Sequence, residues 1–131
     1  MIQAPPMTPP AIYAVMVQAG FPKEVATTMT AIALRESAGV MTAHNGDATT
    51  GDDSYGLLQI NMRVPQIAAL MAKNGISTAD LLTAGGNAKA GFLLWGGSNK
   101  NLEIAWYITK PVYQQKYESH LPVAQMAALG L

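Results

Sequence analysis

The chain contains no cysteine. Disulfides, thiolate metal sites and cysteine-nucleophile hydrolases are therefore excluded together. Histidine is almost as scarce: His44 and His120 are the whole supply, with no H-E-x-x-H or other paired spacing, which argues against a zinc amidase or peptidase. Charge is sparse, at 12% of residues, and eight basic side chains cancel eight acidic ones. With no basic patch, a nucleic-acid partner is not expected, and attraction to any anionic surface would have to be local. No apolar run approaches the length of a membrane span. The opening MIQAPPMTPP has neither a basic n-region nor an apolar h-region, so it does not read as a secretory signal. Internal repeats are absent.

What remains suits one domain: 131 residues, half of them hydrophobic, is enough to bury a core and too apolar for bulk disorder. Residues 1–10 hold four prolines and read as an extended arm, leaving 11–131 as the single folded domain. Pro9-Pro10 followed by an apolar stretch to Ala19 and then Gly20 has the proline-start, glycine-stop form of a helix. Its apolarity nearly all round predicts burial against other helices. Pro22 opens a second helix, to about Ser37. Further helices are predicted from Pro65 to Asn74-Gly75, from a capping box at Ser77-Thr78-Ala79-Asp80 through Leu82, and from Asn87 to Trp95, with Gly85-Gly86 as the break between the last two. Leu102 to Tyr107, Pro111 to His120 and Pro122 to Leu129 complete the set. The fold class expected is mainly α, an α+β arrangement of about seven short helices around a cleft, with an irregular or β-like patch near residues 45–61.

In the second helix Val25, Met29, Ile32 and Glu36 fall at i, i+4, i+7 and i+11, one helical stripe. Glu36 thus continues an apolar face. Desolvation there disfavours its charged form, and the negative end of the helix dipole acts in the same direction. Both favour a carboxylic acid still protonated near neutral pH, the state a general acid needs. The competing reading is a surface glutamate paired with Arg35 or Lys23.

Residues 38–54 read as loop, with Asn45-Gly46 as a tight turn and Gly51-Asp52-Asp53-Ser54 as a second. Asp47, Asp52 and Asp53 have the chemistry to hold a water or a cation, but turn residues are the simpler reading, and their spacing does not match an EF-hand. Ser54 is one residue out of the G-x-S-x-G register, which excludes a serine-hydrolase elbow. The run from Tyr55 to Ile60 fits a strand or a helical turn equally. His44 reads as a loop residue without a role and Trp95 as core. Tyr113 and Tyr117, four apart, are expected to share a helix face.

Glu36-Ser37-Ala38-Gly39 resembles the Glu-Ser-x-Gly motif of the lytic transglycosylase and goose-type lysozyme superfamily. Ser54-Tyr55-Gly56-Leu57-Leu58-Gln59-Ile60 resembles that superfamily's Gly-Leu-Met-Gln-Ile motif, and Asn87, Ala90-Gly91 and Leu94 resemble its third, helical motif. The similarity runs from about Phe21 to Tyr117 and is nearest to phage versions of the domain. The resemblance implies a lysozyme-like fold that cleaves the bond between N-acetylmuramic acid and N-acetylglucosamine in peptidoglycan. It implies Glu36 as sole acid and base, giving 1,6-anhydro ends without a second carboxylate, unlike the two-carboxylate scheme. Ser37, Tyr55, Gly56, Gln59 and Asn61 carry over as substrate contacts, with no metal and no cofactor.

Two departures stand out. Goose-type hydrolytic lysozymes carry an aspartate near the position of Asn61, and an amide cannot activate water as a base. Transglycosylation is thereby favoured, unless a loop aspartate from 47–53 serves for hydrolysis. The family's late Ala-Tyr-Asn-Ala-Gly motif is met here only by Ala105-Trp106-Tyr107-Ile108-Thr109. Trp106 and Tyr107 are candidates for stacking on a sugar face, or else core. A reading from another class is a non-catalytic glycan-binding or virion structural module. The expected partners are peptidoglycan strands and other phage virion or lysis proteins. The site of action is the bacterial cell wall, reached from a phage particle or at lysis.

Overall fold

A computed structural model describes residues 4–47, 49, 51–100 and 116–131. The helices expected at 102–107 and across most of 111–120, together with Trp106, Tyr107 and Tyr113, lie outside the described residues. Helix α1 spans Pro9–Ala19. The Thr8 hydroxyl accepts from the Ala11 amide at its start, and Gly20, at φ 116°, turns its N–H back onto the carbonyls of Met16 and Val17. Only glycine takes that conformation at little cost. Helix α2, Lys23–Ser37, ends at Ala38 in the left-handed region, φ 53°. Further along come α3 (Pro65–Lys73), α4 (Thr78–Leu81), α5 (Ala84–Gly97) and α6 (Leu121–Ala128). The capping box is present as expected, Ser77 and Asp80 reciprocally satisfying each other's backbone amides.

Helix α2 is the centre of the domain. Ala26, Met29, Thr30, Ala31, Ile32 and Ala33 are buried along it, with α1 and α6 packed against it and α1 also against α5. Thr30 is tolerated there because its hydroxyl donates to the Ala26 carbonyl at 2.8 Å. The core continues through Ile12 and Met16 of α1, Leu57, Leu58 and Ile60 of the central patch, Met71 of α3 and Leu81 of α4. Phe21, Phe92 and Trp95 form an aromatic cluster with centroids 5.4–5.8 Å apart. Trp95 is core, as expected. Among the described residues no buried side-chain nitrogen or oxygen lacks a hydrogen-bond partner, and no helix is long and apolar enough to cross a membrane.

The β-like patch is a three-stranded antiparallel sheet, in the order β1 (His44–Asp47), β2 (Asp52–Tyr55), β3 (Ile60–Asn61). This corrects the reading of 38–54 as loop. Asn45 and Gly46 are not a turn: they pair with Ser54 and Asp53, and the chain reverses after Asp47. Strand β1 is mostly exposed and carries no apolar alternation, so its pairing with β2, not its pattern, makes it a strand. Gly85-Gly86 is likewise not a break but the first turn of α5. Thr83 caps that turn through the Gly86 amide, and a Cβ on Gly86 would collide with the Asp80 carbonyl. At the N-terminus the arm is tied down: the Met7 amide donates to the Gly39 carbonyl and the Ala4 amide to the Thr42 hydroxyl.

Candidate active site

A cleft of about 1380 Å³ opens between the end of α2 and the small sheet. Arg35 and Glu36 enter it from α2. Asn45, Asp52, Ser54, Gln59, Ile60 and Asn61 line it from the sheet and its turn, and Val64, Gln66, Ile67 and Leu70 from around α3. Leu94 and Gly97 of α5, Ser98 just past its end, and Lys116, Ser119 and His120 also line it. The apolar stripe on α2 is real: Met29 and Ile32 are buried, Val25 half-buried, and Glu36 emerges at the cleft end with its side chain 21% exposed.

Three influences act on the Glu36 carboxyl. Burial is the largest and pushes it above the usual carboxylate range. Arg35 pulls it back, by its charge and by a 2.5 Å hydrogen bond to Oε1, and the negative charge of Asp52 adds a further upward push. Burial wins, so the net direction is up. The surface pairing with Arg35 considered from the sequence is present, but inside the cleft wall.

The turn facing Glu36 is held by a residue 29 positions downstream. Asn87, fully buried in α5, accepts from the Leu58 amide at 2.9 Å and donates to the Tyr55 and Leu81 carbonyls, each at 2.8 Å. These bonds shape the turn 56–59. Gly56 sits in it at φ 76°, where a Cβ would run into the Leu81 carbonyl and the Asn87 amide, so only glycine fits. Gln59 is itself left-handed, at φ 51°, an uncommon state for a side chain other than glycine, asparagine or aspartate. Its Nε2 donates to the carbonyls of Ala43 and Gly56, which fixes the amide at the cleft wall.

The residues expected as substrate contacts divide. Glu36, Gln59 and Asn61 meet at the cleft. Ser37, Tyr55 and Gly56 stand behind it. The Ser37 hydroxyl donates to the Ala33 carbonyl and accepts from the Gly39 amide, locking the exit of α2. Tyr55 stacks on His44 with centroids 4.3 Å apart, and its hydroxyl donates to Asp53. His44 is therefore not a roleless loop residue. It belongs to β1 and bonds Asp53 at 2.7 Å, which holds the Asp53 carboxyl below its usual range.

The three aspartates of β1 and β2 also divide. Asp47 accepts from the amide and hydroxyl of Thr49, a turn role. Asp53 is engaged by His44 and Tyr55. Asp52 alone of the three lines the cleft. The side-chain Oδ1 of Asn61 accepts from the backbone amides of Asp53 and Arg63, which orients the side-chain amide. What the sequence did not reveal is the clamp by Asn87 and the separation of Asp52 from its neighbours. A buried asparagine on an apolar helix was the available signal for the first. Among the described residues no group of three histidines or acids is close enough to hold a metal ion.

No curated protein and no solved structure matches the chain. Residues 13–102, more than two thirds of the length, match the family described as a lysozyme-like domain. The chain belongs to that family, within the lysozyme and lytic transglycosylase superfamily of peptidoglycan-acting enzymes.

Proposed function

We propose that the protein is a peptidoglycan lytic transglycosylase, with Glu36 as its single acid and base. The observation that carries the reading is the placement of Glu36: it stands half-buried on the wall of a cleft, where burial favours its protonated form. Protonated Glu36 gives its proton to the glycosidic oxygen as the bond from muramyl C1 breaks, while the carbonyl oxygen of the muramyl N-acetyl group closes onto C1. Glu36, now a carboxylate, removes the proton from the C6 hydroxyl of the same sugar. The C6 oxygen displaces the acetamido oxygen at C1, giving a 1,6-anhydro ring. Glu36 finishes protonated and no water is consumed. Gln59 and Asn61, with amides fixed by the backbone around them, are proposed to orient the N-acetyl groups.

A second reading has specific support. Asp52 lines the same cleft and its charge is felt at Glu36, so a hydrolytic muramidase with Asp52 activating water is the alternative. Mass spectrometry of products from purified peptidoglycan separates the two. Anhydro ends, lighter by one water than reducing muropeptides, are expected; reducing ends would move the assignment to Asp52. The Glu36→Gln variant should lose clearing of cell-wall suspensions while still binding them, and retained clearing would refute the role of Glu36. Wild-type binding without any product would indicate a glycan-binding module. On resemblance to phage versions of the domain alone, action on the wall from a phage particle or at lysis is proposed, a route tested by probing purified particles and lysates for the protein.

A further inference from the structure

The residue next to the proposed acid stands in its way. Arg35 and Glu36 are consecutive on α2, and side chains at i and i+1 of a helix diverge. Even so, a guanidinium nitrogen of Arg35 lies 2.5 Å from Glu36 Oε1, with the two side chains 20% and 21% exposed on the wall of one cleft. This pair is strongest when Glu36 is ionised, whereas delivery of a proton needs Glu36 neutral. Arg35 holds back part of the upward push that burial gives the carboxyl, so moving the guanidinium away makes Glu36 a readier proton carrier.

The strand itself carries groups able to do so. Each muramyl unit bears a lactyl arm that ends in a carboxylate when free of peptide, and the peptide supplies carboxylates of its own when attached. A guanidinium transferred from one carboxylate to another keeps a charge-assisted hydrogen bond. The groups around Glu36 permit the transfer. Asp52 on β2 is the other acid lining the cleft, and Lys116 and His120 join Arg35 as its basic or titratable side chains among the described residues. An anionic strand therefore does not meet a uniformly acidic wall. Once Arg35 departs, burial and the charge of Asp52 act unopposed, and both drive Glu36 to bind a proton from solvent.

We infer that Arg35 is a specificity-determining residue: it guards Glu36 in the empty cleft and passes to a carboxylate of the bound strand, so that an anionic substrate arms the acid. This rests on the reading of Glu36 as general acid. The test uses Arg35→Gln and Arg35→Lys on three soluble strands of equal length: peptide-free, with lactyl carboxylates; peptide-bearing; and peptide-bearing with every carboxylate amidated.

On a carboxylate-bearing strand, the alkaline limb of kcat in the wild type should lie at higher pH than that of kcat/KM, since the first reports the complex and the second the free enzyme. In Arg35→Gln the two limbs should coincide and KM should rise about tenfold, the order of one charged hydrogen bond. The amidated strand should show neither effect, and Arg35→Lys, which keeps the charge, should restore the separation of the limbs. A KM effect confined to the peptide-free strand identifies the lactyl carboxylate, and one confined to the peptide-bearing strand identifies the peptide. Coincident limbs in the wild type, or an equal KM change on all three strands, would overturn the inference. So would loss of kcat in Arg35→Gln on the amidated strand. Glu36→Gln assayed alongside separates the two failures: turnover by that variant would refute the acid itself, whatever Arg35 does.

Discussion

Replacing Asn87 with alanine removes three hydrogen bonds from one fully buried position. The Leu58 amide loses the acceptor seen at 2.9 Å, and the Tyr55 and Leu81 carbonyls each lose a donor at 2.8 Å. A buried polar group that loses its partner costs about 1–3 kcal/mol. The amide has one proton to place and falls high in that range, whereas a carbonyl with two lone pairs falls low. The sum is about 4 kcal/mol, a large part of the roughly 5–15 kcal/mol that holds a domain together. For a chain of this length that lowers Tm by about 15 °C. Thermal and urea unfolding followed by circular dichroism would measure it. A loss below about 1 kcal/mol would mean that water or a relaxed turn replaces the clamp, and would refute the argument that Asn87 shapes the turn 56–59. Asn87→Asp provides an internal control. It keeps the acceptor but sets a carboxylate against two carbonyl oxygens, which raises its folded pKa. Its stability should therefore be greatest below the unfolded value, about 4, and fall as pH rises through the folded one.

The Glu36 carboxyl is raised in the folded state, so the stability it contributes is present below its unfolded value and lost as pH rises through the folded one. Glu36→Gln should accordingly melt higher than the wild type at neutral pH and lose that advantage in acid; equal melting at both would refute a destabilised acid. Activity of the wild type should fall as pH rises through the Glu36 value, and a steady rise into alkaline conditions would contradict general acid catalysis. Gly56→Ala, which forces a Cβ onto backbone at a positive φ, should destabilise by about 3 kcal/mol or more, read from denaturant midpoints. His44→Ala should return the Asp53 carboxyl towards its ordinary range in an NMR titration, since the His44 hydrogen bond is the main cause of its depression.

Much of the helical frame is legible before folding because its signals are local. Gly20 ends α1 as a left-handed cap, Pro65 and Asn74 bracket α3, and Ser77 with Asp80 starts α4. Each depends on residues within one turn of one another. The sheet was missed in detail because β1 is too exposed and too polar to carry a period of two, and because Asn45-Gly46 satisfies the turn rule in isolation. Pairing with Ser54 and Asp53 overrides that preference. Gly85-Gly86 misled for the converse reason: two glycines weaken a helix, yet the Thr83 cap and the close approach of the Asp80 carbonyl retain them in its first turn.

The candidate site divides along the same line. That Glu36 lies at the end of an apolar stripe follows from the helical repeat alone, since residues at i, i+4, i+7 and i+11 share a face whatever surrounds the helix. Which groups then meet Glu36 is not a local matter. That Asp52 faces the cleft while Asp53 turns to His44 depends on the register of β2 between β1 and β3. That Asn87 rather than water satisfies the turn 56–59 depends on how α5 lies under it. Arg35 is a neighbour in sequence, but its hold on Glu36 depends on the cleft wall, because adjacent helical side chains otherwise point apart. The sequence by itself determined where an acid would be half-buried. The tertiary structure decided what that acid touches, because contacts across elements are set by register and packing, which no short stretch of chain contains.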